Sequence, residues 1–275
     1  MNSNLENSEL GKKSAYDSHY NPKLLFPIPR SVKRIELGID INNLEFYGVD
    51  IWTHYELSWL NLKGKPMVAI GQICYPASSE CIIESKSMKL YFNSFNNTKL
   101  SSQSKLIDLV ESDISGLIHA PVTFKLINLN DDFRVNKIIG YACLDDLDIE
   151  CNLYQPHQDF LFCENDDVVD EKLYSNLLKS NCLVTNQPDW GSVFIEYSGS
   201  KINHQGLLRY IVSLRDHNEF HEQCVERIFF DIKNNCNPNK LVVYARYTRR
   251  GGLDINPYRS SCDNFCVENL RLIRQ

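Results

Sequence analysis

This sequence of 275 residues has no long apolar run, no excess of positive charge and no closely paired cysteines, and each absence removes a class of protein. No stretch approaches the ~20 consecutive apolar residues of a membrane-spanning helix. Lysine and arginine number 29 against 35 acidic residues, a formal net charge of −6 with no basic block, which argues against a groove for nucleic acid. Met1 to Leu10 is polar and carries Glu6 and Glu9, without the positive start and apolar centre of a secretory signal. A cytoplasmic chain is therefore expected, with its 10 cysteines as free thiols of a reducing compartment. The closest cysteines, Cys262 and Cys266, are too widely spaced for the Cys-x-x-Cys of a zinc ribbon. No Gly-x-Gly-x-x-Gly follows an apolar run, so a Rossmann domain is not indicated.

What is present describes a globular chain. Hydrophobic residues make up 43%, including 14 Tyr and 13 Phe, enough for a sizeable core. Apolar spacing predicts two similar successions of elements. In the first half, 68–74 and 81–85 read as strands around a turn at Pro76-Ala77-Ser78-Ser79, and 86–95 reads as a helix start. A second helix over 104–118 places Leu106, Val110, Ile114 and Leu117 at three- and four-residue spacing. Val122, Phe124 and Leu126 alternate as a strand does, and 138–143 reads as another. In the second half, 193–197 predicts a strand ending in a turn at Ser198-Gly199-Ser200. Two helices follow, one marked by Leu207, Leu208, Ile211 and Leu214, the other by Phe220, Cys224, Val225, Ile228, Phe229 and Ile232. Leu241, Val243, Ala245 and Tyr247 mark a strand after them. Acidic stretches at 145–150 and 164–171, around Pro156, read as a connector. The expectation is an α+β fold built twice, in modules 1–155 and 156–275, each an antiparallel sheet with two helices on one face.

Four clusters carry chemistry, each beside a plainer use. Cys182 and Asp189 lie on either side of Pro188, with Trp190 adjacent. A thiolate adds to electrophilic carbon, and a carboxylic acid in a dry pocket holds a proton to donate; the plainer use is a core cysteine and a turn aspartate. Glu84, between Ile83 and Ser85-Lys86, offers an acceptor to a guanine-like N–H edge, or simply caps a helix. His217 and His221, four apart, have zinc-ligand spacing if both lie on one helix, but they lack the His-Glu-x-x-His pattern and an obvious third ligand. Substrate contact and surface polarity compete evenly for His221-Glu222. Thr248-Arg249-Arg250-Gly251-Gly252 follows a strand, where cations and backbone N–H groups can approach a phosphate, or form an exposed turn.

Taken together, 83–91, 182–190, 220–222 and 248–254 resemble the NADPH-dependent 7-cyano-7-deazaguanine reductases of the long, two-module type. Asp50-Ile51-Trp52-Thr53 and Tyr55-Glu56-Leu57-Ser58-Trp59-Leu60-Asn61 extend the similarity, which runs from about Leu24 to Arg259. The resemblance implies two tandem tunnelling-fold modules in a homodimer. It implies reduction of a nitrile to a primary amine with NADPH, at the small-molecule stage of queuosine biosynthesis, with no direct nucleic-acid contact, no membrane and no metal. Cys182 matches the nucleophile that forms a thioimide and Asp189 the general acid. Ile83, Glu84, Ser85, His221 and Glu222 match substrate contacts, while Ser85, Lys86, Arg250 and Gly251 match NADPH contacts. Because the first half keeps the glutamate and the second the cysteine, the resemblance implies one composite site per chain. A zinc-dependent hydrolase of the same architecture, using His217 and His221, is the alternative, and metal analysis separates the two.

Overall fold

The structure, a computed structural model, describes residues 16–131, 134–263, 267, 269 and 271–275. Its strands are β1 (Pro27–Pro29), β2 (Tyr47–Leu60), β3 (Pro66–Pro76), β4 (Cys81–Ile83), β5 (Thr123–Ile127), β6 (Ala142–Cys143), β7 (Cys163–Ser175), β8 (Lys179–Asn181), β9 (Pro188–Ile202), β10 (Lys240–Tyr247) and β11 (Leu253–Ser260). Its helices are α1 (Ser31–Glu36), α2 (Ser85–Asn93), α3 (Gln103–Ile118), α4 (His204–Ser213) and α5 (His221–Cys236). The fold is mixed α+β with largely antiparallel sheet, and no helix among the described residues is long and apolar enough to cross a membrane.

Two compact units emerge. Unit 1 takes the described residues of Met1–Glu36, Asp50–Phe133 and Arg249–Asp254, and unit 2 those of Leu37–Val49, Arg134–Thr248 and Ile255–Gln275. In unit 1 the strand order is β5-β3-β2, and β1 pairs with β4 antiparallel. Helix α3 begins where Ser102 accepts the Lys105 N–H and ends at His119 in the left-handed region. Leu106, Val110, Ile114 and Ile118 form its buried row at four-residue steps. Burial of each such side chain stabilises by roughly 1.5–3 kcal/mol. The Tyr91 hydroxyl of α2 donates to Asp113 of α3 at 2.6 Å, fixing one helix against the other.

Unit 2 orders its strands β11-β10-β9-β7-β6, with β8 folded onto the start of β9. Its helices are tied as in unit 1, here by the Tyr210 hydroxyl of α4 donating to Asp231 of α5 at 2.6 Å. Ile228, Phe229 and Ile232 of α5 and Leu241 and Val243 of β10 are buried.

The structure departs from the sequence expectation in several places. The turn at Ser198-Gly199-Ser200 is absent, because β9 runs straight through it, paired with β7 on one side and, through Ser198, with β10 on the other. Gly199 is there because a Cβ would lie 2.8 Å from the Pro238 Cα. The acidic stretch 164–171 belongs to strand β7, whose carboxylates find partners: Glu164 pairs with Lys201 at 2.9 Å, and Glu171 accepts from Tyr197 and His204. Most of 138–143 is not strand. Only Ala142 and Cys143 pair, parallel to β7, while Ile139 is exposed.

Candidate active site

In unit 2 a hairpin brings Cys182 and Asp189 to one face. The β8–β9 register sets Ser180 opposite Asp189 and Asn181 opposite Pro188. Side chains alternate along a strand, so Cys182, two residues beyond Ser180, shares the face of Ser180 and its partner Asp189. The hairpin closes where the Cys182 N–H donates to Gln187 O at 2.9 Å and the Asn186 N–H to Cys182 O at 3.1 Å. Asn186 sits at φ 57°, a region asparagine tolerates better than most residues. Both Cys182 and Asp189 are 6% exposed, so reagents there meet little water.

A second segment clamps this hairpin. Asn181 donates its N–H to His217 O at 2.8 Å and accepts from the Glu219 N–H at 3.1 Å. The Asn218 amide donates to Cys182 O at 3.2 Å and to Asn186 Oδ1 at 3.0 Å. Glu219 is buried against Arg227, which donates to both of its oxygens at 2.6–3.0 Å. Burial would raise the Glu219 carboxyl, but hydrogen bonds from His217 and Arg227 and the Arg227 charge prevail and bring its pKa to about 2. His221 and Glu222 open α5 directly afterward, and His221 Nε2 lies 3.4 Å from Asp189 Oδ2. The His221 ring lies flat on Tyr247, centroids 3.9 Å apart and planes 6° apart. Its Nδ1 is buried with no hydrogen-bond partner among the described residues. Nearby Cys224 is pushed up to about 12 by burial and the Glu219 charge, which keeps that sulfur a thiol.

In unit 1, Glu84 is the N-cap of α2: its oxygens accept from the Lys86 N–H at 2.6 Å and the Ser87 N–H at 2.8 Å. It is fully buried, and burial raises its carboxyl despite those bonds and the charges of Lys89 and Lys86. Each oxygen has one amide partner among these contacts, and a carboxylate oxygen has room for a second. Ile83 is buried at the end of β4, opposite Pro27 of β1, and Ser85 and Lys86 form the first turn of α2. The turn carrying Arg250 and Gly251 joins this same unit. Gly251 and Gly252 adopt φ of 56° and 70°, and a Cβ on Gly251 would lie 3.2 Å from the Lys89 side chain. Lys89 thus links the Glu84 cluster to the Arg250 turn.

The zinc arrangement does not form. His217 ends a short 3-10 turn before α5, so it shares no helical face with His221, and it pairs with Glu219 at 3.1 Å. Among the described residues no group of three His, Cys, Asp or Glu side chains is placed to hold a metal ion.

Asn218, Tyr247 and Lys89 escaped the sequence reading. Asn218 has no pattern of its own between His217 and His221, and Tyr247 reads as the last alternating position of a strand. Only the third dimension shows one clamping the thiol hairpin and the other carrying His221.

A buried thiol and carboxyl and a partly buried imidazole, held by one hairpin and one helix start, are the groups that addition to an electrophilic carbon with proton transfer would need. Sequence relatives give the family. The family described as nitrile reductase, 7-cyano-7-deazaguanine-reductase N-term, matches residues 16–126, and the family described as QueF-like protein matches 188–265. Proteins named NADPH-dependent 7-cyano-7-deazaguanine reductase are similar throughout. Those of Legionella pneumophila (strain Lens) and Ralstonia nicotianae are 56% and 54% identical, each over 98% of this chain and over 95% and 99% of their own. That of Acidovorax ebreus is 56% identical over 98% of this chain and 99% of its own. The chain belongs to the NADPH-dependent 7-cyano-7-deazaguanine reductase family.

Proposed function

We propose that this chain reduces the nitrile of 7-cyano-7-deazaguanine to the aminomethyl group with NADPH, serving queuosine biosynthesis. The observation that supports the reading is the β8–β9 hairpin, which pairs Ser180 with Asp189, closes at Cys182 through its N–H to Gln187 O, and leaves both Cys182 and Asp189 buried. The Cys182 thiolate adds to the nitrile carbon, a C–S bond forms, one C–N π bond breaks, and the nitrogen takes up a proton to give a thioimide. Asp189, with His221 3.4 Å away, is the proton donor to that nitrogen. Cys182 later leaves as thiolate, so the sulfur is recovered. The closed hairpin keeps water from hydrolysing the imine stage. Glu84, with Ile83 and Ser85, and the pair His221 and Glu222 hold the deazaguanine, and the unpartnered Nδ1 of His221 suits that contact.

The residues present fit a phosphate-bearing cofactor. Gly252 leaves open a place where a Cβ would lie 2.3 Å from Glu56, and Arg249, Arg250 and Lys89 supply cations around the same turn. Ser85, Lys86, Arg250 and Gly251 would hold NADPH, which when bound supplies the hydride for each of two reductions. Arg250 contributes charge to the phosphate and Gly251 a close backbone approach. The same reading takes the chain as two tandem tunnelling-fold modules, 1–155 and 156–275, in a cytoplasmic homodimer without nucleic-acid contact. The experiment is to mix protein, nitrile and NADPH and follow NADPH absorbance together with amine product by mass. Two NADPH consumed per amine is the expected result; no loss of absorbance with folded protein removes the reading.

A further inference from the structure

We propose that Tyr55 is a positioning residue for NADPH, holding the 249–252 turn in the shape that receives the cofactor's phosphate. The inference rests on the cofactor reading of Arg250 and Gly251 above and adds a residue that does not itself touch the reacting atoms.

Tyr55 contacts the turn in three independent ways. Its backbone N–H donates to Gly252 O at 2.8 Å. Its hydroxyl donates to Asp254 Oδ2 at 2.6 Å, just past the turn. Its ring carries the Arg249 guanidinium, with the carbon 4.1 Å from the ring centre. The neighbouring side chains take up the rest of the space: Lys89 over Gly251 and Glu56 against Gly252. Both glycines lie in the left-handed region, and the turn closes on itself through the Arg250 N–H to Leu253 O at 2.9 Å and the Leu253 N–H to Arg250 O at 3.4 Å. Those bonds close the turn but do not fix where it points, and Tyr55 binds it from outside at Arg249, Gly252 and Asp254. The half-buried Tyr55 side chain is not part of the core, so it can be changed without emptying the sheet.

This assigns different losses to different parts of the side chain. The ring holds the exposed Arg249 guanidinium in one place, so that it does not compete with Arg250 for the same phosphate in unproductive geometries. The hydroxyl donates to Asp254 Oδ2 and so ties the end of the turn to β2. Both losses weaken NADPH and leave the thiol chemistry of unit 2 alone.

The test uses the full chain and steady-state kinetics in both substrates, with covalent labelling of Cys182 by nitrile in the absence of NADPH. Tyr55→Leu is expected to raise the KM for NADPH about tenfold, with kcat within about twofold and nitrile labelling at the wild-type level. Tyr55→Phe keeps the ring and the backbone bond and should recover most of that loss, to within about threefold of wild type. An unchanged NADPH KM in Tyr55→Leu overturns the inference, as does a parallel fall in kcat and in labelling, which marks a merely structural residue. If Tyr55→Leu does not fold, Tyr55→Phe and Asp254→Asn decide: each should raise the NADPH KM two- to threefold, and no change in either overturns it. Arg250→Ala separates the two levels. If it leaves the NADPH KM unchanged, the cofactor reading of the turn fails; if it raises it while the Tyr55 variants do not, only the role of Tyr55 fails.

Discussion

In unit 1, Leu60 donates its N–H to Thr98 O at 2.9 Å and accepts from the Leu100 N–H at 2.8 Å; in unit 2, Asn181 does the same with His217 and Glu219. The next residue closes a hairpin in each: Asn61 donates to Lys65 O at 3.0 Å, Cys182 to Gln187 O at 2.9 Å, and a proline follows, Pro66 or Pro188. Further on, the Ser94 hydroxyl donates to Tyr91 O and the Ser213 hydroxyl to Tyr210 O, while Glu84 and Asn203 cap the helices in which those tyrosines lie. Against this shared frame the differences stand out. Asn61 occupies the place of Cys182, Met67 that of Asp189, Leu100 that of Glu219, and Asn203 that of Glu84. The frame folds with an amide at the hairpin, so no structural need calls for a thiol there. Nor does a helix cap need a buried carboxylate, because Asn203 caps α4 without one. Residues that a repeated frame does not require are the ones to assign to chemistry.

The largest effect expected from breaking the comparison is at the hairpins. Cys182→Ala should abolish reduction and leave no mass adduct with nitrile, while binding of the nitrile stays measurable. Asn61→Cys, which gives unit 1 the thiol, should add no second adduct, because Met67 and Gln103 stand where unit 2 has Asp189 and His221. An adduct persisting on Cys182→Ala removes the assignment. Next is Asp189→Asn, which keeps the shape and loses the acid. Turnover should fall roughly 100- to 10,000-fold with little change in nitrile affinity. Equal losses in both would make Asp189 a structural residue of the hairpin.

These contrasts were only partly legible in the sequence. Helices α3 and α5 show themselves because one face is apolar at helical spacing, and β10 because its residues alternate. Strand β2 does not, since Ile51, Trp52, Thr53 and His54 are all buried and a strand covered on both faces has no alternation to read. Strand β11 was hidden by Asp254, Asn256, Pro257 and Arg259, polar or strand-breaking residues whose burial depends on distant partners such as Glu226, which accepts from Arg259 at 2.8 and 3.0 Å. The same limit applies to the site. The Cys182 motif and Glu84 are local patterns, and so can be seen in a row of letters. The Asn218 clamp, the Tyr247 stack and the Tyr55 support join residues from 26 to almost 200 positions apart, and no spacing rule reaches that far.

Glu219 offers a stability test of the same comparison, since unit 1 has the apolar Leu100 at its place. Glu219→Gln leaves Arg227 without its buried carboxylate and should cost about 3–5 kcal/mol at neutral pH, measured by denaturant unfolding. The folded pKa of about 2 lies below the ordinary 4.5, so the contribution of Glu219 is present above about pH 4.5 and is lost as the pH falls toward 2. The gap between wild type and variant should therefore close over that window. A gap that is constant down to pH 2 would mean that the ion pair does not set the stability of the clamp.

The smallest expected effect is the most discriminating. Glu84 both caps α2 and, in the proposed function, accepts the guanine-like N–H edge of the substrate, and an alanine variant would remove the two together. Unit 2 supplies a better substitution, because Asn203 caps α4 by accepting the Gly206 N–H at 2.7 Å. Glu84→Asn should therefore keep the cap, with stability within about 1 kcal/mol of wild type, since asparagine and aspartate-like caps are close in strength. Loss of a carboxylate that burial already holds above its ordinary pKa works in the same direction, limiting the cost of the change. Nitrile affinity should fall by about 1–3 kcal/mol for each N–H left without its acceptor, read by titrating substrate and following the Cys182 adduct. NADPH affinity, which the proposed function gives to Ser85, Lys86 and the 249–252 turn, should move far less, because the cap that orders Lys86 is kept. Stability and nitrile affinity both at wild-type values would make Glu84 a cap and nothing more, and the distinction between the two units at this position would then have no chemical content.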